Sequence, residues 1–219
     1  FAYNWSTSTG NIISSNTILN PDVDAPGVYN LLITNVLNNC TTTQQVTVSE
    51  NTELPDASAS GTGILNCLTT ELTLSGNGSS TGTSYSYLWS GPSIAEGETT
   101  LAPTAHEPGV YQMLVTNSNN RCAATATVTV GENMALPLAV AGADTEFSCG
   151  STSLILSGAG SSVGSNFIYE WTTQNGSIGS GANSLDLEVS SPGIYQLSVT
   201  DQTNGCESTD EVEITPDPD

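Results

Sequence analysis

Apolar and polar residues alternate with a period of two along most of the chain, the pattern of strands with one buried face. Around PGVYQMLVTN, Tyr111, Met113 and Val115 share one side, and Gln112, Leu114 and Thr116 the other. The same alternation runs through Tyr29, Leu31 and Ile33, and through Tyr195, Leu197 and Val199. A later strand sets Val128 and Val130 against Thr127 and Thr129; its counterpart sets Val212 and Ile214 against Glu211 and Glu213. Tyr85, Tyr87 and Trp89 form an aromatic face, matched by Phe167, Tyr169 and Trp171. Leu72 with Leu74, and Leu154 with Leu156, mark an earlier strand. No 3.6-residue period is sustained, and Gly, Asn, Ser and Thr are too dense for helices.

These elements repeat. FAYNW, SYSYLW and FIYEW place Trp5, Trp89 and Trp171 at nearly equal intervals. Tyr29, Tyr111 and Tyr195 each follow a Pro-Gly, and each precedes a cysteine (Cys40, Cys122, Cys206) by the same interval. The linkers SENTELPDASAS and GENMALPLAVAG carry Pro55 and Pro137, equally far ahead of Cys67 and Cys149. The chain therefore divides into a partial repeat at 1–53, lacking its opening strands, and complete repeats at 54–135 and 136–219. About seven short strands per repeat, with a Cys…Trp…Cys order, predict an all-β array of tandem Ig-like β-sandwiches, arranged as beads on a string. The tyrosine after Pro-Gly fits either a tyrosine corner or a core aromatic with its hydroxyl at the rim.

Charge narrows the partners. The 219 residues hold 22 acidic side chains, a single basic one (Arg121) and one histidine (His106), for a formal charge of −21. Phosphate backbones and anionic membranes are bound through Lys and Arg, so this charge argues against nucleic acid and anionic membrane surfaces as partners. With no Lys, a Lys–Asn isopeptide lock is chemically impossible, and covalent stapling falls to cysteine. No apolar run is long enough for a membrane helix.

Five cysteines leave one over. Cys67 precedes Trp89 by the same interval as Cys149 precedes Trp171. The expected bonds are thus Cys67–Cys122 and Cys149–Cys206, with the partner of Cys40 outside the chain. Such bonds imply an oxidising, extracellular compartment. Catalysis is not expected: His106 lies in a repeat-variable loop position, and the many serines lack a base.

The combination Y-x-W, PG-x-Y-x-L-x-V-T-N/D, N-x-x-C or NG-C, then a Val-Thr strand resembles PKD-like and Ig-like repeats. It is most similar to those of large secreted Bacteroidota adhesins, gliding-motility adhesins among them. The PKD hallmark W-x-F-G-D-G is missing after all three tryptophans, so the likeness is to PKD-like relatives. The resemblance implies a surface array.

The expected role is a structural or adhesive stalk or fibre of a large, secreted cell-surface protein. Its partners would be neighbouring repeats of the same polypeptide or filament, and surface glycans or a host or other substratum. The alternatives are a polymerising filament subunit and a glycan- or protein-binding module. No cofactor is expected beyond calcium. Glu50, Asn51 and Asp56 at the first junction, and Glu132, Asn133 and Asp144 at the second, offer oxygen ligands for an interdomain Ca²⁺. Against this stands a plain solvated acidic linker in a chain acidic throughout.

Overall fold

A computed structural model describes residues 1–218, and every one of its regular elements is a strand. The described residues gather into two compact units, 1–54 with 117–122, and 55–116 with 123–218.

The first unit contains a three-stranded antiparallel sheet of β1 (Ala2–Thr7), β2 (Gly27–Thr34) and β3 (Thr41–Val48), in the order β1-β2-β3. Trp5 pairs with Leu31 across it, and Tyr29 with Val46. Tyr29 is buried, whereas Leu31 and Ile33 are only half covered.

The second unit holds two seven-stranded sandwiches. The first is built from β4 (Ile64–Asn66), β5 (Leu72–Thr73), β6 (Tyr85–Ser90), β7 (Ile94–Glu96), β8 (Thr104–Ala105), β9 (Gly109–Asn117) and β10 (Ala123–Asn133). Its sheets are β4-β10-β9-β6 and β5-β8-β7. The second repeats the plan with β11 (Thr145–Phe147), β12 (Leu154–Ser157), β13 (Phe167–Gln174), β14 (Ser177–Ser180), β15 (Asp186–Ser191), β16 (Gly193–Asp201) and β17 (Glu207–Pro216). Its sheets are β11-β17-β16-β13 and β12-β15-β14. This arrangement is the Ig-like sandwich expected from the strand count.

The alternation in the sequence is realised side chain by side chain. Tyr111, Met113 and Val115 are fully buried with Leu65, Leu74 and Trp89. Tyr195, Leu197 and Val199 are buried with Leu156, Trp171, Val212 and Ile214. The indole N–H of Trp89 donates to Thr100 O (2.9 Å) and that of Trp171 to Ser184 O (3.0 Å). Trp5 in the open sheet has no such acceptor among the described residues.

The tyrosines meet both descriptions given them by the sequence. Their rings are buried, and each hydroxyl donates to the carbonyl four residues upstream: Tyr29 to Ala25 (2.6 Å), Tyr111 to Glu107 (2.7 Å) and Tyr195 to Ser191 (2.7 Å). A phenol can fill the core with its ring and still satisfy its oxygen at the sheet edge, as a tyrosine corner does.

One pairing fixes where the cysteines lie. The short β4 runs parallel to the end of β10, with Ile64, Leu65 and Asn66 beside Gly131, Glu132 and Asn133. In the same way β11 lies beside Ile214, Thr215 and Pro216 of β17. Cys67 and Cys149 follow these short strands, so they sit at the end of their sandwich where the long last strand finishes. Cys122 and Cys206 sit at the opposite end, just before that strand begins.

Candidate functional site

The chemistry most particular to this chain is at the junction of the two sandwiches. It is built from the turn between β16 and β17 and the segment that ends the preceding sandwich. The turn Asp201–Cys206 is closed by two backbone bonds, Gly205 N to Asp201 O (2.7 Å) and Asp201 N to Cys206 O (2.9 Å). Its fifth residue must take a left-handed conformation, and Gly205 has φ 71°. The equivalent residues Arg121 (φ 61°) and Asn39 (φ 56°) accept the same conformation in the other two copies. At Gly205 a side chain is also sterically excluded, because a Cβ there would overlap Leu68.

Asn204 is completely buried, and its amide is hydrogen-bonded on both sides. Its Oδ1 accepts from Cys206 N (2.9 Å), and its Nδ2 donates to Asn133 Oδ1 (3.1 Å) and Ala135 O (2.9 Å). Its own carbonyl accepts from Cys67 N (3.0 Å). Close by, Cys67 and Cys206 form a disulfide with a Cα–Cα distance of 5.0 Å, joining residues 139 apart in sequence. A buried amide with its polar atoms matched specifies one geometry and tolerates few others.

The disulfide corrects the expected pairing of Cys67 with Cys122 and of Cys149 with Cys206. Those pairs would lie within one repeat, at opposite ends of its last strand. From Cys122 to the Gly131 region the strand spans roughly 30 Å at about 3.4 Å per residue, far beyond the ~7 Å that a disulfide can bridge. Cys40, Cys122 and Cys149 are not bonded to one another or to another cysteine of the described residues.

The first unit contains the same clamp. Asn120, in the turn after β9, donates to Asn51 Oδ1 (3.0 Å) and to Glu53 O (2.9 Å), while its Oδ1 accepts from Cys122 N (2.9 Å). Asn51 and Asn133 stand at the same position in successive repeats, in SENTELP and GENMALP, so the two contacts are copies of one design.

The six residues expected to hold calcium are distributed otherwise. Asn51 and Asn133 commit their side-chain oxygens to Asn120 and Asn204. Asp144 Oδ1 accepts from Glu213 N (2.9 Å), bracing the entry to β11. Glu50, Asp56 and Glu132 are exposed. Among the described residues no three His, Cys, Asp or Glu side chains gather as a metal cluster. The side-chain hydrogen bonds at these positions are made by neutral amides, which suits a surface already crowded with negative charge. The recurring Asn is visible in the sequence, but an amide oxygen among carboxylates fits a cation ligand equally well. The six-residue spacing shared by Asn35–Cys40, Asn117–Cys122 and Asp201–Cys206 is the sequence signal for the turn itself.

Two other features bear on function. Asp201 is held below the usual carboxylate range, chiefly by the Thr203 hydroxyl, then by the Thr203 amide and the Asn166 side chain. His106 is an exposed surface residue with its Nε2 3.6 Å from Glu71 Oε2.

No protein-family model matches the chain, and no curated protein matches it in sequence. Solved structures do. It is similar to immunoglobulin domains 1-5 of Sidekick-1, at 13% identity over 98% of this chain and 54% of that one (TM-score 0.31). It is similar to extracellular domains 3-5 of Drosophila OTK, at 12% identity over 99% and 85% (TM-score 0.33). It is also similar to the three N-terminal domains of the bacteriophage RB49 outer capsid protein Hoc, at 14% identity over 99% and 88% (TM-score 0.36). The chain spans about half the length of the Sidekick-1 fragment. The strand order and sheet pairing described above define the class: this is a tandem Ig-like β-sandwich protein.

Proposed function

We propose that the chain is a structural or adhesive repeat region of an extracellular protein, a length of stalk or fibre of the kind the PKD-like motifs suggest. The observation that carries this reading is the junction. Asn204 and the Cys67–Cys206 bond fasten the turn of one sandwich to the base of the one before it. A protein whose repeats were merely tethered would have no use for a buried, hydrogen-bonded contact between them. The disulfide favours an oxidising compartment outside the cytoplasm. The surface charge keeps such arrays apart in solution. The reading is non-catalytic, in keeping with a single histidine that faces a surface glutamate.

A glycan-binding role finds less support, because Trp89 and Trp171 are each only 2% exposed and belong to the cores.

An antibody raised against residues 54–219 should label intact, unpermeabilised cells or their secreted material. Removing these residues from the native polypeptide should weaken cell attachment to a substratum. Label confined to the cytoplasm, with attachment unchanged, overturns the proposal. Concentration-dependent fibres of the purified chain would select the filament reading.

A further inference from the structure

Three cysteines stand outside the disulfide, and each is the repeat equivalent of a cysteine inside it. Cys149 lies one repeat after Cys67, at the end of β11 as Cys67 is at the end of β4. Cys40 and Cys122 close the same six-residue turn that Cys206 closes, with the same backbone bonds: Asn35 N to Cys40 O (2.9 Å), Asn117 N to Cys122 O (2.8 Å) and Asp201 N to Cys206 O (2.9 Å).

We infer that these three thiols are half-cystines of a disulfide ladder, in which the base of every repeat is bonded to the turn of the repeat that follows. Cys149 takes the turn cysteine of a following repeat. Cys122 and Cys40 each take the base cysteine of the repeat before their own.

An independent observation carries the inference past positional likeness. The non-covalent half of the bonded junction is already assembled at Cys122. Asn120 holds Asn51 and Glu53 as Asn204 holds Asn133 and Ala135. The Cys122 turn is thus docked in the geometry that, one repeat later, delivers Cys206 to Cys67. At the Cys40 turn, Val36 and Leu37 are 61% and 91% exposed, an apolar tip suited to a neighbouring repeat. Cys149 is followed by Gly150, whose side has open space, where Cys67 is followed by Leu68. Leu68 demands a glycine opposite it, and Gly150 makes no such demand. A turn of the Asn39 or Arg121 type can therefore approach Cys149.

Each bond forms by exchange with a protein or small-molecule disulfide. One thiolate attacks that disulfide to give a mixed disulfide and release one thiol. The second cysteine of the pair then displaces the other thiol. The two cysteines lose two electrons and two protons, and the oxidant gains them as two thiols.

The test extends the chain in register. By count Asp219 matches Ala135, so a second copy of residues 136–219 is joined directly after Asp219. After oxidation by glutathione disulfide, a non-reducing digest should contain Cys67 bonded to Cys206, and Cys149 bonded to the added copy's turn cysteine. Maleimide should label Cys40 and Cys122 and the base cysteine of the added copy. The inference fails if Cys149 remains reactive while Cys67–Cys206 is closed, or if Cys149 bonds within its own repeat. Should the extended chain not fold, non-reducing mapping of the native polypeptide decides. Cys122 and Cys149 recovered in bonds between adjacent repeats support the ladder; free thiols, or a Cys67–Cys122 peptide, overturn it. Neither measurement depends on what the array attaches to, so the ladder can fail while the adhesive reading stands.

Discussion

Asn204 reaches from the turn after β16 to the side-chain oxygen of Asn133, 3.1 Å away on the far side of the junction. The same residue's carbonyl takes the amide of Cys67, so the clamp and the disulfide share one backbone. Asn204→Asp removes both donors and sets a carboxylate against the Asn133 and Ala135 oxygens. The variant should lose ~1–3 kcal/mol, read as a lower urea midpoint. Its Cys67–Cys206 bond should also be reduced faster by dithiothreitol. An unchanged reduction rate would show that the amide does not hold the bridge in place.

The bridge itself should govern extension under load. Pulling the chain from its two ends transmits force across Cys67–Cys206 and bypasses the residues between them, since the sequence separation is 139. Reduction should lengthen the fully unfolded chain by roughly 480 Å at about 3.5 Å per residue. Cys67→Ser should give the long extension without reductant and cost ~2–5 kcal/mol of stability. Single-molecule pulling with and without dithiothreitol measures the first, and thermal unfolding the second.

The tyrosine corner offers a cleaner deletion. Tyr195 donates to Ser191 O (2.7 Å) and accepts from Ser177 N (2.9 Å). Tyr195→Phe keeps the ring in the core and strands both backbone groups, for an expected loss of ~1–3 kcal/mol. The urea midpoint should fall with the slope unchanged, because the surface exposed on unfolding is the same.

Acid should loosen one turn selectively. The Asp201 carboxylate is favoured in the folded state by Thr203 and Asn166, so its folded pKa lies below its unfolded value. Its contribution is complete above the unfolded value of about 4 and is lost as pH falls through the folded pKa. An NMR titration should show the Thr203 amide shift steady from neutral pH down to that range and moving below it. In Asp201→Asn the shift should stay flat, as it should for the natural Asn117 turn.

The period-two alternation made the sandwiches legible because each buried strand must present one apolar face, and Tyr111, Met113 and Val115 do so without exception. The repeat was legible through its aromatic and Pro-Gly markers. The disulfide was not. Spacing along the chain says that Cys67 and Cys122 belong to the same repeat, but it does not say which end of the sandwich each occupies. That depends on β4 joining the end of β10 in parallel, a pairing made by three residues too few to announce their partner. The junction amides are hidden for a related reason. Asn51 and Asn133 resemble oxygen ligands among acidic neighbours, and the amides that donate to them across the junctions lie 69 and 71 residues away.

The disulfide spans the interior of both complete sandwiches, from Leu68 to Gly205. A protease that cuts once anywhere in that stretch produces two pieces that remain covalently joined. Exposed loops are the places most open to such nicking, so a single cut here does not part the segments on either side of it. Where staples overlap from one repeat to the next, a severed strand is always backed by an intact one.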